Sequence, residues 1–357
     1  MRRSSRVYLG DLNDGKSDTL RDFLYLCHDA TQYFVDLFWQ RQDFTPTLAD
    51  ISTTHRGNKR FSITSRLSQA LAKQAKECLI ASKERGVCKP CLRSKTVTLC
   101  QNFVSIESFN GSGFDYAVRL IGSGAPKLII PVHSTKHLNG LIAAGYHFSK
   151  SVRIGMNAGR LFVDFILEKP RPPLKNIGRI VGMDSNYKAG VVLSDGQQVA
   201  ENAYTVIQKF AKRQKHTHDE IKSLLGCELK KLNFSQVKML CIEDLKRVRH
   251  GTRGTFSRLL NRRMSHWLYN FIASWLSSHC EEMGIRVERK NPWKTSQYCR
   301  QCGRWDRRNR RGDRFLCVNC GHCENSDFNA SKNLELLGLV GVYGLHSLPN
   351  AGFQGST

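Results

Sequence analysis

Apolar positions at helical spacing dominate the first part of the chain. Phe23, Leu24, Leu26, Cys27, Phe34, Leu37 and Phe38 predict a helix over about 17–42, which Ser17 or Asp18 can cap. Thr45, Pro46 and the polar stretch 52–59 are expected to break it. Leu67, Leu71, Ala75, Cys78 and Leu79 place a second helix over about 64–84, ended by Gly86. The period then shortens. Residues 96–108, 116–121, 128–132, 152–156 and 161–167 alternate or run apolar between glycine-rich turns, as strands and hairpins do. Helices followed by strands suggest two modules, and no internal repeat is present. The segment KPRPPLK, 169–175, reads as a linker, because its prolines extend neither a helix nor a central strand.

Beyond the linker, 179–183 predicts a buried strand ending at Asp184, with 189–193 as its hairpin partner. A polar helical region covers about 203–233. Residues 237–242 form a short apolar run ending at Glu243. A long helix is expected over about 256–283, stopped by Gly284, and 285–288 reads as one more strand.

The 357-residue length suggests two or three domains, and 40% hydrophobic residues exclude wholesale disorder. The charge changes the picture more. Fifty-five Lys and Arg against 30 Asp and Glu leave +25, too positive for an ordinary metabolic enzyme. A polyanionic partner is the default reading, and a charge that serves only solubility is the alternative. The start, MRRSSRVYLGDLNDG, has the positive residues of a signal peptide but no apolar stretch after them. The longest uncharged apolar run, 267–280, is short of the roughly 20 residues a membrane span requires. A cytoplasmic protein without membrane contact is expected, so the 13 cysteines point to metal or core positions rather than disulfides.

Cys299 and Cys302 form one CxxC knuckle, Cys317 and Cys320 another, with 14 residues between them and Gly303 and Gly321 following. Two such knuckles supply the closed tetrahedral set of one structural Zn²⁺. The loop they hold carries Arg304, Trp305, Arg307, Arg308, Arg310, Arg311 and Arg314. Those residues suit phosphate contact with one aromatic for stacking, or a merely solvated loop. Cys88 and Cys91 form a further CxxC that lacks a second knuckle, leaving a second zinc site and free thiols both open. A basic stretch after Glu243 includes Lys246, Arg247, Arg249, Arg258 and Arg262, read as phosphate contacts or as a solvated face.

Acids are scarce, so three at element ends stand out: Asp184, Glu243 and Asp327, the last opening a helix in SDFNASKN. A ribonuclease-H-like fold gathers carboxylates in this way, and clustered carboxylates suit two Mg²⁺ ions. On pattern alone each acid also reads as a cap or turn residue.

The motif order GMDSN, IEDL, TSxxCxxCG…CxxCG and DFNASKN, over about 178–335, resembles TnpB. TnpB is the RNA-guided nuclease of bacterial and archaeal insertion sequences, and it is related to the miniature type V CRISPR effectors. The resemblance implies a multidomain α+β chain. Residues 1–16 would begin a wedge β-barrel completed by 96–170, with a helical recognition lobe at 17–95 and a linker at 171–176. An RNase-H-like RuvC domain would follow over 177–295 and 324–338, with the zinc ribbon inserted at 296–323 and a loose tail at 339–357. It further implies that Asp184, Glu243 and Asp327 bind two catalytic Mg²⁺, and that a guide RNA pairs with target double-stranded DNA next to a short flanking motif. A monomer is expected, with a dimer as the alternative. Asn186 stands where the family often has Gly, and Ser331 where Ala is common. The rival readings are a guided DNA-binding protein without effective cleavage and an unguided zinc-ribbon transposition factor.

Overall fold

The computed structural model describes residues 1–84, 86, 88–109, 113–122, 124–213, 218–244, 267–291 and 294–340. The basic stretch 246–266 and the tail from 341 onward lie outside the described residues. The chain divides into two compact units, 1–170 and 171–357.

The first unit begins with β1 (Arg2–Tyr8), followed by helices α1 (Asp14–Gln40), α2 (Ile51–Phe61) and α3 (Ser65–Glu84). Strands β2 (Lys95–Cys100), β3 (Val104–Ser108), β4 (Tyr116–Leu120) and β5 (Leu128–Val132) come next, then α4 (Lys136–Ala143), β6 (His147–Asn157) and β7 (Arg160–Glu168). The strands form two antiparallel sheets, β1-β7-β6-β2 and β3-β4-β5. The expected barrel is therefore not closed among the described residues. Both sheets share one core with the helices, in which Leu24, Phe34 and Phe38 meet Leu71, Leu99, Ile130, Ile154 and Phe165. Burial of such side chains contributes roughly 1.5–3 kcal/mol each.

Helix α2 corrects the sequence reading, which expected a break there. It buries only Thr53, Thr54 and Gly57, so it shows no apolar stripe. Two features hold it instead. The Asp50 carboxylate caps its start, accepting from the Thr53 amide at 2.7 Å. Gly57 lets the helix settle onto Phe34 and Ser68, where a Cβ would collide with both side chains.

The second unit carries β8 (Arg179–Asn186), β9 (Gly190–Leu193), β10 (Gln198–Val199), α5 (Ala203–Arg213), α6 (His218–Leu229) and β11 (Val237–Glu243). It continues with α7 (Tyr269–Glu282), β12 (Arg286–Lys290), β13 (Arg310–Arg311), β14 (Arg314–Leu316), β15 (Cys323–Asn325) and α8 (Ser326–Leu339). The main sheet has the order β10-β9-β8-β11-β12. Strand β11 runs parallel to both β8 and β12, and β9 returns antiparallel beside β8. On one face Val181, Met183, Leu240 and Ile242 join a core with Leu225, Ile272 and Leu276. On the other face Cys241 packs with Leu334 and Leu337 of α8. Strands β13, β14 and β15 make a separate small sheet that leads directly into α8.

Candidate active site

Helix α8 lies unusually close to the sheet. A Cβ on Gly182 would collide with the Ser331 carbonyl and the Glu335 amide, and one on Gly338 with the Cys241 sulfur. These two glycines let the middle and end of α8 lie directly on β8 and β11, which carries the start of the helix to the end of β8. Asp327, 2% exposed, meets Asp184, 8% exposed, and their carboxyls come within hydrogen-bond reach. Register Ile242↔Met183 on the parallel pair sets Glu243 beside Asp184. The structure thus brings together all three acids singled out in the sequence.

Their alternative roles are taken by neighbours. The cap of α8 is Asn325, whose side-chain oxygen accepts from the Asp327 and Phe328 amides at 2.8 and 3.1 Å. The β8–β9 hairpin is closed by Asn186, whose side-chain oxygen accepts from the Lys188 and Ala189 amides at 2.9 Å each. Asn186 is thereby committed to the turn. Ser331 is buried and donates to the Phe328 carbonyl at 2.8 Å.

Burial pushes the Asp184 carboxyl well above the usual range, and the adjacent Glu243 and Asp327 push it the same way. Burial likewise raises Glu243 to about 7, against the hydrogen bond its carboxylate accepts from Thr295 Oγ1 at 3.2 Å. Arg310 opposes both shifts. A carboxyl raised in this way holds more protons folded than unfolded between its two pKa values. Its contribution therefore turns unfavourable as pH rises from about 4.5 to about 7. Glu243→Gln is expected to stabilise the protein by on the order of 2 kcal/mol at pH 8 before divalent metal is added, a difference that vanishes by pH 4. Thermal melts of both proteins across that range check it. A variant no more stable at pH 8 than at pH 4 would contradict the assigned burial.

The fit to a cation rests on donor chemistry. Asp184, Glu243 and Asp327 lie close enough to disfavour one another's charge, with the Arg310 guanidinium against Asp327, and acids so placed are relieved by divalent cations. Asp184, Glu243 and Asp327 are the residues that would hold them.

The ribbon cysteines pass a geometric test. Zn–S bonds of about 2.3 Å require tetrahedral sulfurs about 3.8 Å apart. Cys299 and Cys320 sulfurs lie 3.7 Å apart, Cys302 and Cys317 sulfurs 3.5 Å, and all four fall within 4.8 Å of one another. All four are free thiols, far outside disulfide bonding distance. Gly303 and Gly321 follow the knuckles at φ 70° and 73° and donate back to Cys299 and Cys317. Among the described residues these four cysteines are the one group of three or more His, Cys, Asp or Glu whose ligand atoms all lie within 4.8 Å of one another, a spacing the three acids do not share and that Cys88 and Cys91, both exposed, do not enter.

The ribbon arginines divide. Arg304, Arg307, Arg311 and Arg314 are exposed. Arg308 forks onto Asp306 at 2.8 Å. Arg310 turns toward the acids, its Nη2 lying 3.4 Å from Asp327 Oδ1. Trp305 is 39% exposed, with the Lys294 ammonium 3.2 Å from its ring centre. Lys246, Arg247, Arg249, Arg258 and Arg262 lie outside the described residues.

Sequence reasoning missed three supporting hydrogen bonds from two asparagines. Asn329 and Asn333, one turn apart on α8, donate to the Tyr298 carbonyl at 2.7 and 2.9 Å, and Asn333 also donates to the Thr295 carbonyl at 2.7 Å. They tie α8 to the strand of chain entering the ribbon and hold Thr295 beside Glu243. Two asparagines four apart behind Asp327 were the available signal.

These features define a mixed α/β, multidomain chain with a carboxylate cluster beside a four-cysteine ribbon. The family model for the Cas12f1-like TNB domain matches residues 269–334. The chain is 36% identical over 77 residues to the CRISPR-associated endodeoxyribonuclease Cas12f1 of Sulfoacidibacillus thermotolerans, a match over 21% of this chain and 18% of that relative. The matched stretch is thus less than a fifth of that relative's length. Its fold is similar to the Cas12f1–sgRNA–target DNA complex, with TM-score 0.56 and 12% identity over 89% of this chain and 81% of that one. It is also similar to the mini-RNA-guided endonuclease CRISPR-Cas_phi3, with TM-score 0.51 and 8% identity over 96% and 93%. The chain is thus similar to Cas12f1 proteins in sequence over its C-terminal part, and to miniature RNA-guided endonucleases in fold. Among the described residues no helix is long and apolar enough to cross a membrane.

Proposed function

We propose that this chain is an RNA-guided DNA endonuclease of TnpB type. It binds a structured guide RNA, and pairing with that RNA selects the target DNA beside a short flanking motif. Residues 177–295 and 324–338 act as an RNase-H-like RuvC domain carrying a zinc ribbon at 296–323, and the first unit serves as recognition lobe and wedge. The observation that carries this reading is the convergence of Asp184, Glu243 and Asp327 at the end of β8. Two Mg²⁺ bound there would activate the attacking water and stabilise the leaving oxygen of a phosphodiester. The chain's own residues then have defined tasks. The three acids hold the ions, Thr295 orients Glu243, and the exposed ribbon arginines and Trp305 guide the single strand by phosphate contact and stacking.

Sequencing the RNA that co-purifies with the protein tests the guided part of this reading. One abundant species with a constant structured region is expected. A random RNA population, or none, would favour an unguided zinc-ribbon factor.

A further inference from the structure

Arg310 comes from the ribbon, yet its guanidinium sits at the carboxylates. The hairpin turn that carries it is clamped to the start of α8. The Ser326 amide donates to the Asp313 carbonyl at 2.9 Å, and the Ser326 hydroxyl to the Gly312 carbonyl at 3.2 Å. Gly312, at φ 64°, turns that same carbonyl to accept from Arg310 Nε at 3.1 Å. The side chain is therefore aimed by the ribbon while its tip faces Asp327.

The contact itself is loose. Arg310 reaches Asp327 through one nitrogen at 3.4 Å. By contrast, Arg6 in the first unit forks onto Asp164 with two bonds of 2.7 and 2.9 Å. Arg310 is also 34% exposed at its side chain, whereas Asp327 is 3% exposed. An arginine does not lose its charge at accessible pH, so it leaves an anion only by swinging away. A single long bond and an open path to solvent permit that swing.

We infer that Arg310 is the resident counter-ion of the carboxylate cluster, competing with divalent metal for Asp327 and displaced when metal binds. The inference rests on the proposed metal role of Asp184, Glu243 and Asp327. Arg310 acts here as a positioning residue, through Asp327, and makes metal loading depend on the ribbon turn. The favourable effect of its charge on the ionised forms of Asp184 and Glu243 fits a cation filling a cation site.

The test is Mn²⁺ titration of the zinc-loaded full chain, read by electron paramagnetic resonance, for wild type, Arg310→Gln, Arg311→Gln and Asp184→Asn. Arg310→Gln is expected to bind Mn²⁺ three- to tenfold more tightly than wild type. Arg311→Gln, altered at an exposed neighbour, is expected to match wild type. Unchanged or weaker binding in Arg310→Gln overturns the inference alone. Absence of any Asp184-dependent uptake in wild type overturns the metal reading together with it. Arg310→Met keeps the side chain's length should the amide variant not fold. It is expected to show the same tightening, and wild-type affinity in it overturns the inference.

Discussion

Asp184→Asn is expected to reduce cleavage of guide-matched DNA by at least about 10³-fold while target binding stays within about twofold of wild type. The size follows from position. Asp184 is central in the sheet, deeply buried, and flanked by both other acids. It would be one of the three residues that hold the proposed ions. An amide is nearly the same size and removes a charge that burial already disfavours, so the fold should persist. Single-turnover cleavage and equilibrium binding on the same preparation separate the two effects. Cleavage within tenfold of wild type would remove Asp184 from the chemistry. Asn186→Gly is the informative companion, because the Asn186 side chain is spent on its hairpin. It should leave the rate within a few fold.

Loss of the proposed ribbon zinc should be nearly as damaging, by a different route. Cys317→Ser is expected to release the zinc, expose 296–323 to proteolysis and reduce cleavage at least about 10²-fold. Structural zinc contributes folding free energy directly, and so small a sheet has little else. Its buried core is essentially Phe315 with Cys299 and Cys317. Strand β15 runs straight into α8, so a disordered ribbon loosens Asn325, Asp327 and Arg310 together. The main sheet has its own core and should keep its melting transition. Zinc content, limited proteolysis and cleavage measured together check this. Full activity in a zinc-free, proteolysed ribbon would sink the proposed coupling.

The parts legible in the sequence were those with a strict period or a fixed spacing. Strands β8 and β11 are apolar runs closed by an acid, and the CxxC pairs announce their own geometry. Helix α2 was hidden because its stability comes from an Asp50 cap and the Gly57 contact, not from an apolar stripe. The closeness of α8 to the sheet was hidden in Gly182 and Gly338, which read as ordinary glycines until a neighbour is placed against them. Asp327 looked like a helix cap because Asn325, two residues earlier, could not be assigned that task from spacing alone. The inward turn of Arg310 among exposed arginines depends on tertiary placement beside Asp327, which no local pattern encodes.

On the proposed function, the three converging carboxylates hold the ions that cut DNA chosen by an RNA. The most direct measurement incubates the purified ribonucleoprotein with Mg²⁺ and two DNA duplexes, one matching the bound RNA and one scrambled. Scission of the matched duplex only, abolished by Asp184→Asn, is the predicted result. Equal cutting of both duplexes, or cutting that survives Asp184→Asn, would contradict it.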